Sequence, residues 1–185
     1  QQASIAQAAT WLSDTLVKDG LLYITGTGHS HMIAEEVFYR AGGIAAVYPI
    51  LEPALMLHEG AIRSSSLERL EGLANIIMQD LVITSNDLFV VASNSGRNAF
   101  PIEVLLEAKK RGCKTIAITS LHHSQQVSSR HSSGKRLFEV ADLVIDNGTH
   151  YGDASLEIPG LASKIAPLSS IAGLFIINSM IAEGV

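Results

Sequence analysis

A single cysteine, Cys113, stands among 185 residues. It excludes an internal disulfide, and so thiol-poor a chain fits a reducing compartment. Charge is scarce as well: 17% of residues are charged against 47% hydrophobic, a balance that excludes a disordered or nucleic-acid-binding chain. A net charge of −5 argues against attraction to phosphate polymers or an anionic membrane surface. Any phosphate must therefore be held locally, by a few aimed groups. No secretory or transit segment is visible, which favours the cytoplasm. Ile171 to Ala182 is apolar almost all round but too short and interrupted for a membrane span, so it reads as a helix buried in the core or at a subunit contact. The chain opens without Met and stops at Gly184-Val185, so residues are expected to be missing at both ends. No internal repeat stands out.

Other absences narrow the chemistry. Gly26-x-Gly28-x-x-His31 lacks the third glycine of the dinucleotide pattern, and there is no Walker lysine. Gly28-His29-Ser30-His31-Met32 places methionine where a nucleophile elbow needs glycine, which disfavours a serine hydrolase. His29-x-His31 and His122-His123 have no nearby carboxylate or thiolate, and surface or hydrogen-bonded histidine is the better default. Neither a metal nor a cofactor is expected.

What is present centres on Asp87 to Asn98. Leu88 to Ala92 read as a buried strand of a parallel sheet covered on both faces. A small hydroxyl-rich turn follows at once, in which Ser93, Asn94, Ser95, Gly96 and Asn98 offer side-chain donors, a permissive glycine and free backbone N–H groups. The next helix carries Pro101 in its first turn, where a missing N–H costs little. Such a helix start draws anions, because unpaired N–H groups and the positive end of the helix dipole converge there. Ordinary turn and N-cap chemistry would look alike. A second turn of the same kind raises the odds: Leu21 to Thr25 is another apolar run, followed by Gly26-Thr-Gly28-His-Ser30 and a helix over His31 to Arg40. Two such turns would lie side by side at the carboxyl ends of a parallel sheet, where open α/β sheets bind ligands.

The remaining chain fits one domain with a substantial core. Ser4 to Lys18 place Ile5, Ala8, Leu12 and Leu16 on one helical face, with Trp11 beside them and Asp19-Gly20 as the stop. Ile44 to Tyr48 read as a strand. The long connection from Pro49 to Arg63 brings Glu52, His58, Glu59 and Arg63 near its carboxyl end. A helix is expected from Ser66, with Leu67, Leu70, Leu73, Ala74 and Ile77 as its stripe. After the central turn, Lys109-Lys-Arg-Gly112 closes the following helix. The polar stretch from Leu121 to Arg136 reads as a solvated loop, or else as a lid carrying Arg130, Lys135 and Arg136. Asn147 to Pro167 is irregular, and Ser169 or Ser170 caps the last helix.

Gly26-x-Gly28-x-Ser30, Ser93-x-Ser95-Gly96, Lys114-Thr-Ile-Ala-Ile-Thr-Ser120 and Ala141-Asp-Leu-Val-Ile-Asp146 together resemble the SIS (sugar isomerase) domain, from about Gly20 to the last helix. Within that family the resemblance is greatest to small stand-alone bacterial proteins labelled phosphoheptose isomerases by similarity. It implies a flavodoxin-like, three-layer αβα sandwich with a five-stranded parallel sheet, residues 1–185 forming one SIS domain with a lead-in helix over 1–19. It implies a phosphorylated sugar held by Gly28, Ser30, Ser93, Asn94, Ser95, Gly96 and Asn98, where Asn98 replaces a hydroxyl residue often seen in the family. It also implies a homodimer or homotetramer, with no nucleic-acid or membrane partner.

The implied reaction is an aldose–ketose isomerisation through an enediol, which needs a base poised near cellular pH and a proton shuttle between oxygens. In SIS isomerases resembling glucosamine-6-phosphate synthase the base follows the second strand, which makes Glu52 the candidate here, with His58 as shuttle. In phosphoheptose isomerases and muramic-acid etherases the glutamate lies fourteen positions after the first motif glycine, and that position is Arg40; Glu35, Glu36 and Glu59 are the other candidates. A non-catalytic sugar-phosphate sensor is the alternative function, and an amino-sugar phosphate etherase or lyase the third. Some phosphoheptose isomerases are zinc proteins, though nothing in the resemblance assigns particular ligands here.

Overall fold

The computed structural model describes residues 1–185. The chain runs α1 (Gln2–Val17), β1 (Leu22–Gly26), α2 (His31–Val37), β2 (Val47–Pro49), α3 (Ala61–Leu67), α4 (Leu73–Met78), β3 (Leu88–Ala92), α5 (Ala99–Lys110), β4 (Lys114–Thr119), α6 (Leu121–Ser124), α7 (Leu137–Val140), β5 (Leu143–Asp146), β6 (Ala154–Leu156), β7 (Ile165–Pro167) and α8 (Ser169–Gly184). Strands β1 to β5 form one parallel sheet in the order β2-β1-β3-β4-β5. This is the doubly wound order whose direction of winding reverses between β1 and β3.

The continuous apolar runs exist because both faces of the sheet are covered. Leu22, Ile24, Leu88, Val90, Ile116, Ile118 and Ile145 pack with residues of α1, α2 and α8. Their neighbours in sequence, Tyr23, Phe89, Val91 and Ala117, point the other way and pack with α4, α5 and α7. The α/β class and five-stranded parallel sheet expected from the sequence are therefore present. Buried Asp87 ties the sheet's start together, its carboxylate accepting the Leu21 N–H at 2.8 Å and the Thr84 N–H at 2.6 Å. That aligns β1 with β3, and hence the two turns at their far ends.

Several boundaries differ from the sequence reading. The helix expected to reach Arg40 stops at Val37, because Phe38 is extended and Tyr39 has φ 47°. The strand expected over Ile44 to Tyr48 is the shorter Val47–Pro49, paired with β1 through three residues. The single helix expected from Ser66 is two helices, α3 and α4, separated where the Gly72 N–H is taken by the Glu103 carboxylate at 2.7 Å. Leu70, expected on its buried stripe, is exposed in that break. The lead-in helix buries Ile5, Ala8 and Leu12 in the core. Beside them Trp11 is covered by the Lys114 ammonium, 4.9 Å from the ring centroid.

The last helix begins at Ser169 but is not capped by Ser169 or Ser170. Asp153 does this from sixteen residues upstream, its Oδ1 accepting the N–H groups of Leu168 and Ser169 at 3.1 and 2.8 Å and its Oδ2 the Ser169 hydroxyl at 2.6 Å. The irregular stretch before it contains the small antiparallel pair β6–β7. No helix is long and apolar enough to cross a membrane.

Candidate functional site

The first turn opens with Gly28, at φ 56°, in a single 3-10 turn over Gly28–Ser30 that runs straight into α2. His31 Nδ1 donates to the Gly28 carbonyl and fixes the turn's shape. The Ser30 hydroxyl makes no hydrogen bond within the chain.

The second turn joins β3 to α5. Gly96 sits at φ 58°, and a Cβ there would lie 3.1 Å from Leu137 Cβ, 3.1 Å from Ser124 Oγ and 3.2 Å from Thr119 Oγ1. Only glycine meets both demands. The Ser93 hydroxyl accepts the Gly96 N–H at 3.2 Å, and the Gly96 carbonyl accepts the Leu137 N–H at 2.7 Å. Pinned this way, the turn leaves the N–H groups of Asn94, Ser95, Arg97 and Asn98 and the Ser95 hydroxyl without partners inside the chain. Asn98 stands at the N-cap of α5 without capping it; its Oδ1 accepts from Arg130 Nη1 at 2.8 Å. A short loop of unengaged N–H groups ahead of a twelve-residue helix is a concave donor array for an oxyanion.

Between the turns lies a narrow crevice of about 10 Å³, lined by Ser30, Ser93 and Asn94 with Asn147, Ser169 and Ser170. That is room for about one water. Asn94 is partly committed: its Oδ1 accepts from Asn147 Nδ2 at 2.9 Å and the Thr149 hydroxyl at 3.0 Å, while its carbonyl accepts the Ser120 N–H. The sequence reading did not single out Asn147, Ser169 or Ser170 as site residues, since polar residues in an irregular stretch carry no periodic signal.

Basic charge gathers beside this turn although the chain is acidic overall. Arg97 donates from Nε to the Ser128 carbonyl at 3.0 Å, and its own carbonyl accepts the Arg130 N–H at 2.8 Å. Burial, then the neighbouring Arg97 and Arg69, hold the Arg130 guanidinium below its ordinary value, against the pull of Glu68. Burial followed by Arg97 likewise pushes His123 down. The 121–136 stretch is thus a folded flap that brings Arg130 to Asn98. Arg136 does not reach the turn; it ion-pairs with Glu139 at 2.9 Å and binds the Ser124 carbonyl at 3.1 Å. Lys135 is exposed.

The catalytic candidates stand elsewhere. Glu52 heads a one-turn 3-10 helix, its Oε1 accepting the Ala54 N–H at 3.3 Å. His58 is exposed and makes no hydrogen bond. Neither lines the Ser30–Ser93 crevice. Glu35 faces His31 at 3.7 Å, Glu36 ion-pairs with Arg40, and Glu59 ion-pairs with Arg63 at 2.9 Å. One carboxylate the sequence reading missed, Glu68, accepts the Thr27 hydroxyl at 2.6 Å while its carbonyl accepts the Phe100 N–H at 3.0 Å. It links the first turn to the start of α5.

A parallel α/β sheet with glycine turns on both sides of its winding reversal defines a domain of the doubly wound, ligand-binding class. Residues 1–120 match the family model described as the SIS domain, and the chain belongs to that family. It is 47% identical over 185 residues to a UPF0309 protein of Geobacillus sp. (strain WCH70), covering 100% of this chain and 75% of the relative. A UPF0309 protein of Halalkalibacterium halodurans is 44% identical over 183 residues, covering 99% and 76%. Among solved structures, phosphoheptose isomerase GmhA from Neisseria gonorrhoeae superposes with TM-score 0.64 at 19% identity, covering 99% of this chain and 86% of that one. The sugar isomerase domain of an RpiR transcription factor from Sphaerobacter thermophilus gives 0.54 at 17% identity, covering 100% and 78%. These similarities establish the shared fold.

Proposed function

We propose that this chain binds a phosphorylated sugar across its two turns and interconverts aldose and ketose forms through an enediol. The observation that carries the reading is the Ser93–Asn98 turn, whose N–H groups at Asn94, Ser95, Arg97 and Asn98 are unengaged within the chain. The phosphate docks on that turn and the Ser30 and Ser95 hydroxyls, with the α5 dipole and the Arg97–Arg130 pair supplying local positive potential. A solved structure sharing the fold is named a phosphoheptose isomerase, which supports the substrate class.

Proton transfer between adjacent carbons needs only an acid–base pair, so the proposed reaction calls for no cofactor. Glu52 takes the proton and His58 shuttles between the oxygens. The unengaged second oxygen of Glu52 and the unbonded His58 imidazole leave both groups free to act. The crevice, with room for about one water, must widen at Ser169 and Ser170 to admit the sugar. Exposed Ile171 and Phe175, one helical turn apart on α8, support association into a homodimer or homotetramer.

Solvent deuterium incorporation next to the carbonyl, followed by NMR over hexose, heptose and amino-sugar phosphates, tests this. Wild type exchanges, Glu52→Gln binds without exchange, and Ser95→Ala binds more weakly. Exchange undiminished in Glu52→Gln removes Glu52 as base.

The second reading, a sugar-phosphate sensor, is favoured by one specific observation: neither Glu52 nor His58 lines the crevice. An RpiR transcription factor is among the chains sharing the fold. Tight binding with no exchange for any sugar selects the sensor.

A further inference from the structure

We propose that Glu71, Glu103 and His131, none of which lines the Ser30–Ser93 crevice, form a binding site for a divalent transition-metal ion such as Zn²⁺. The three come from separate segments: Glu71 from the α3–α4 break, Glu103 from α5, and His131 from the flap. One ligand atom of each lies within 4.8 Å of the others. Two carboxylate oxygens and one imidazole nitrogen suit a borderline first-row cation better than Mg²⁺, which prefers all-oxygen surroundings.

The charge balance is the stronger argument. Glu103 is buried and Glu71 lies close beside it, yet neither is paired with lysine or arginine; the one basic group near Glu103 is His131, with Nε2 at 3.7 Å. A buried carboxylate and an exposed one this close together, with a single imidazole between them, leave net negative charge that a bound cation would offset.

The outer contacts fit ligands held in place. Glu103 accepts the Gly72 N–H on both oxygens at 2.7 and 3.0 Å, and Glu71 accepts the Ser132 N–H and hydroxyl at 2.6 and 2.7 Å. His131 Nδ1 meets the Ser133 hydroxyl at 2.8 Å, which holds the ring with Nε2 toward Glu103. Such outer partners orient metal ligands. Metal–ligand distances of about 2.0–2.2 Å require the three atoms to draw inward, a movement the exposed Glu71 side chain can supply.

The consequence is specific. A bound ion staples the flap to α5 one residue from Arg130, the residue that reaches Asn98 in the phosphate-type turn. The site stands independently of which sugar, if any, that turn binds.

Titration calorimetry of the chelator-treated full chain with Zn²⁺ is the test, with Co²⁺ absorption as a second readout of nitrogen and oxygen ligation. Wild type binds one Zn²⁺ per chain, its Tm rises with Zn²⁺, and both Glu71→Gln and His131→Gln weaken binding at least tenfold. Glu71 is exposed, so Glu71→Gln folds and keeps the test informative. Three results overturn the proposal: no binding at 100-fold excess, binding undiminished in both variants, or binding lost only in His122→Gln. The last would assign the ion to the His122–His150 pair, whose rings lie 6.1 Å apart.

Discussion

Gly96→Ala is the substitution from which the geometry of the turn can be read as energy. Two costs add. An L-residue held at φ 58° costs about 1–2 kcal/mol. The new methyl would also stand 3.1 Å from Leu137 Cβ and Ser124 Oγ and 3.2 Å from Thr119 Oγ1. Leu137 cannot retreat, because its N–H donates to the Gly96 carbonyl at 2.7 Å. Such overpacking costs about 1–3 kcal/mol, for a total of about 2–5 kcal/mol. Gly28→Ala isolates the first cost: φ there is 56°, and the nearest atom to the new methyl is Leu57 Cδ2 at 3.8 Å, an ordinary contact. Its expected loss is about 1–2 kcal/mol. At about 2–4 °C per kcal/mol for a chain of this length, Gly96→Ala should lower Tm by about 4–20 °C and Gly28→Ala by about 2–8 °C. Urea unfolding midpoints give the free energies directly. Equal losses in the two variants would refute the packing argument, and a Gly96→Ala loss below about 1 kcal/mol would refute the turn's geometry altogether.

Asp153→Ala removes the distant cap of α8 and should cost about 1–2 kcal/mol, with amide exchange accelerating first at Leu168 and Ser169; protection unchanged there would mean another group caps the helix. Glu139 is held at about 2, below its ordinary value of 4.5, chiefly by hydrogen bonds from Arg136. A depressed carboxyl stabilises the fold above its unfolded value and loses that contribution as pH falls. The stability gap between wild type and Glu139→Gln should therefore close between about pH 4.5 and pH 2. Burial, aided by Asp87, pushes the Cys113 thiol up to about 11 from 9.0. Its reaction with a disulfide reagent at pH 8 should be about 100-fold slower in the native chain than in urea, and equal rates would contradict that burial.

The sequence by itself determined the elements whose signals are local. Leu88 to Ala92 was legible to the residue as β3, because a strand covered on both faces must be apolar at every position. The close of α5 at Lys109-Lys110 before Gly112, and the paired turns at Gly28–Ser30 and Ser93–Asn98, were legible for the same reason: each is a short pattern with its own conformational cause. What only the tertiary structure decided are the points where a polar group from far along the chain completes a local gap. Glu103 takes the Gly72 N–H and breaks the expected helix, Asp153 displaces Ser169 and Ser170 as the cap of α8, and Arg130 reaches Asn98. The crevice between Ser30 and Ser169 and the meeting of Glu71, Glu103 and His131 belong to the same class. Periodicity records which face of an element is buried, but a hydrogen bond or ligand set between distant segments leaves no spacing to read, so it emerges only when the sheet has brought those segments together.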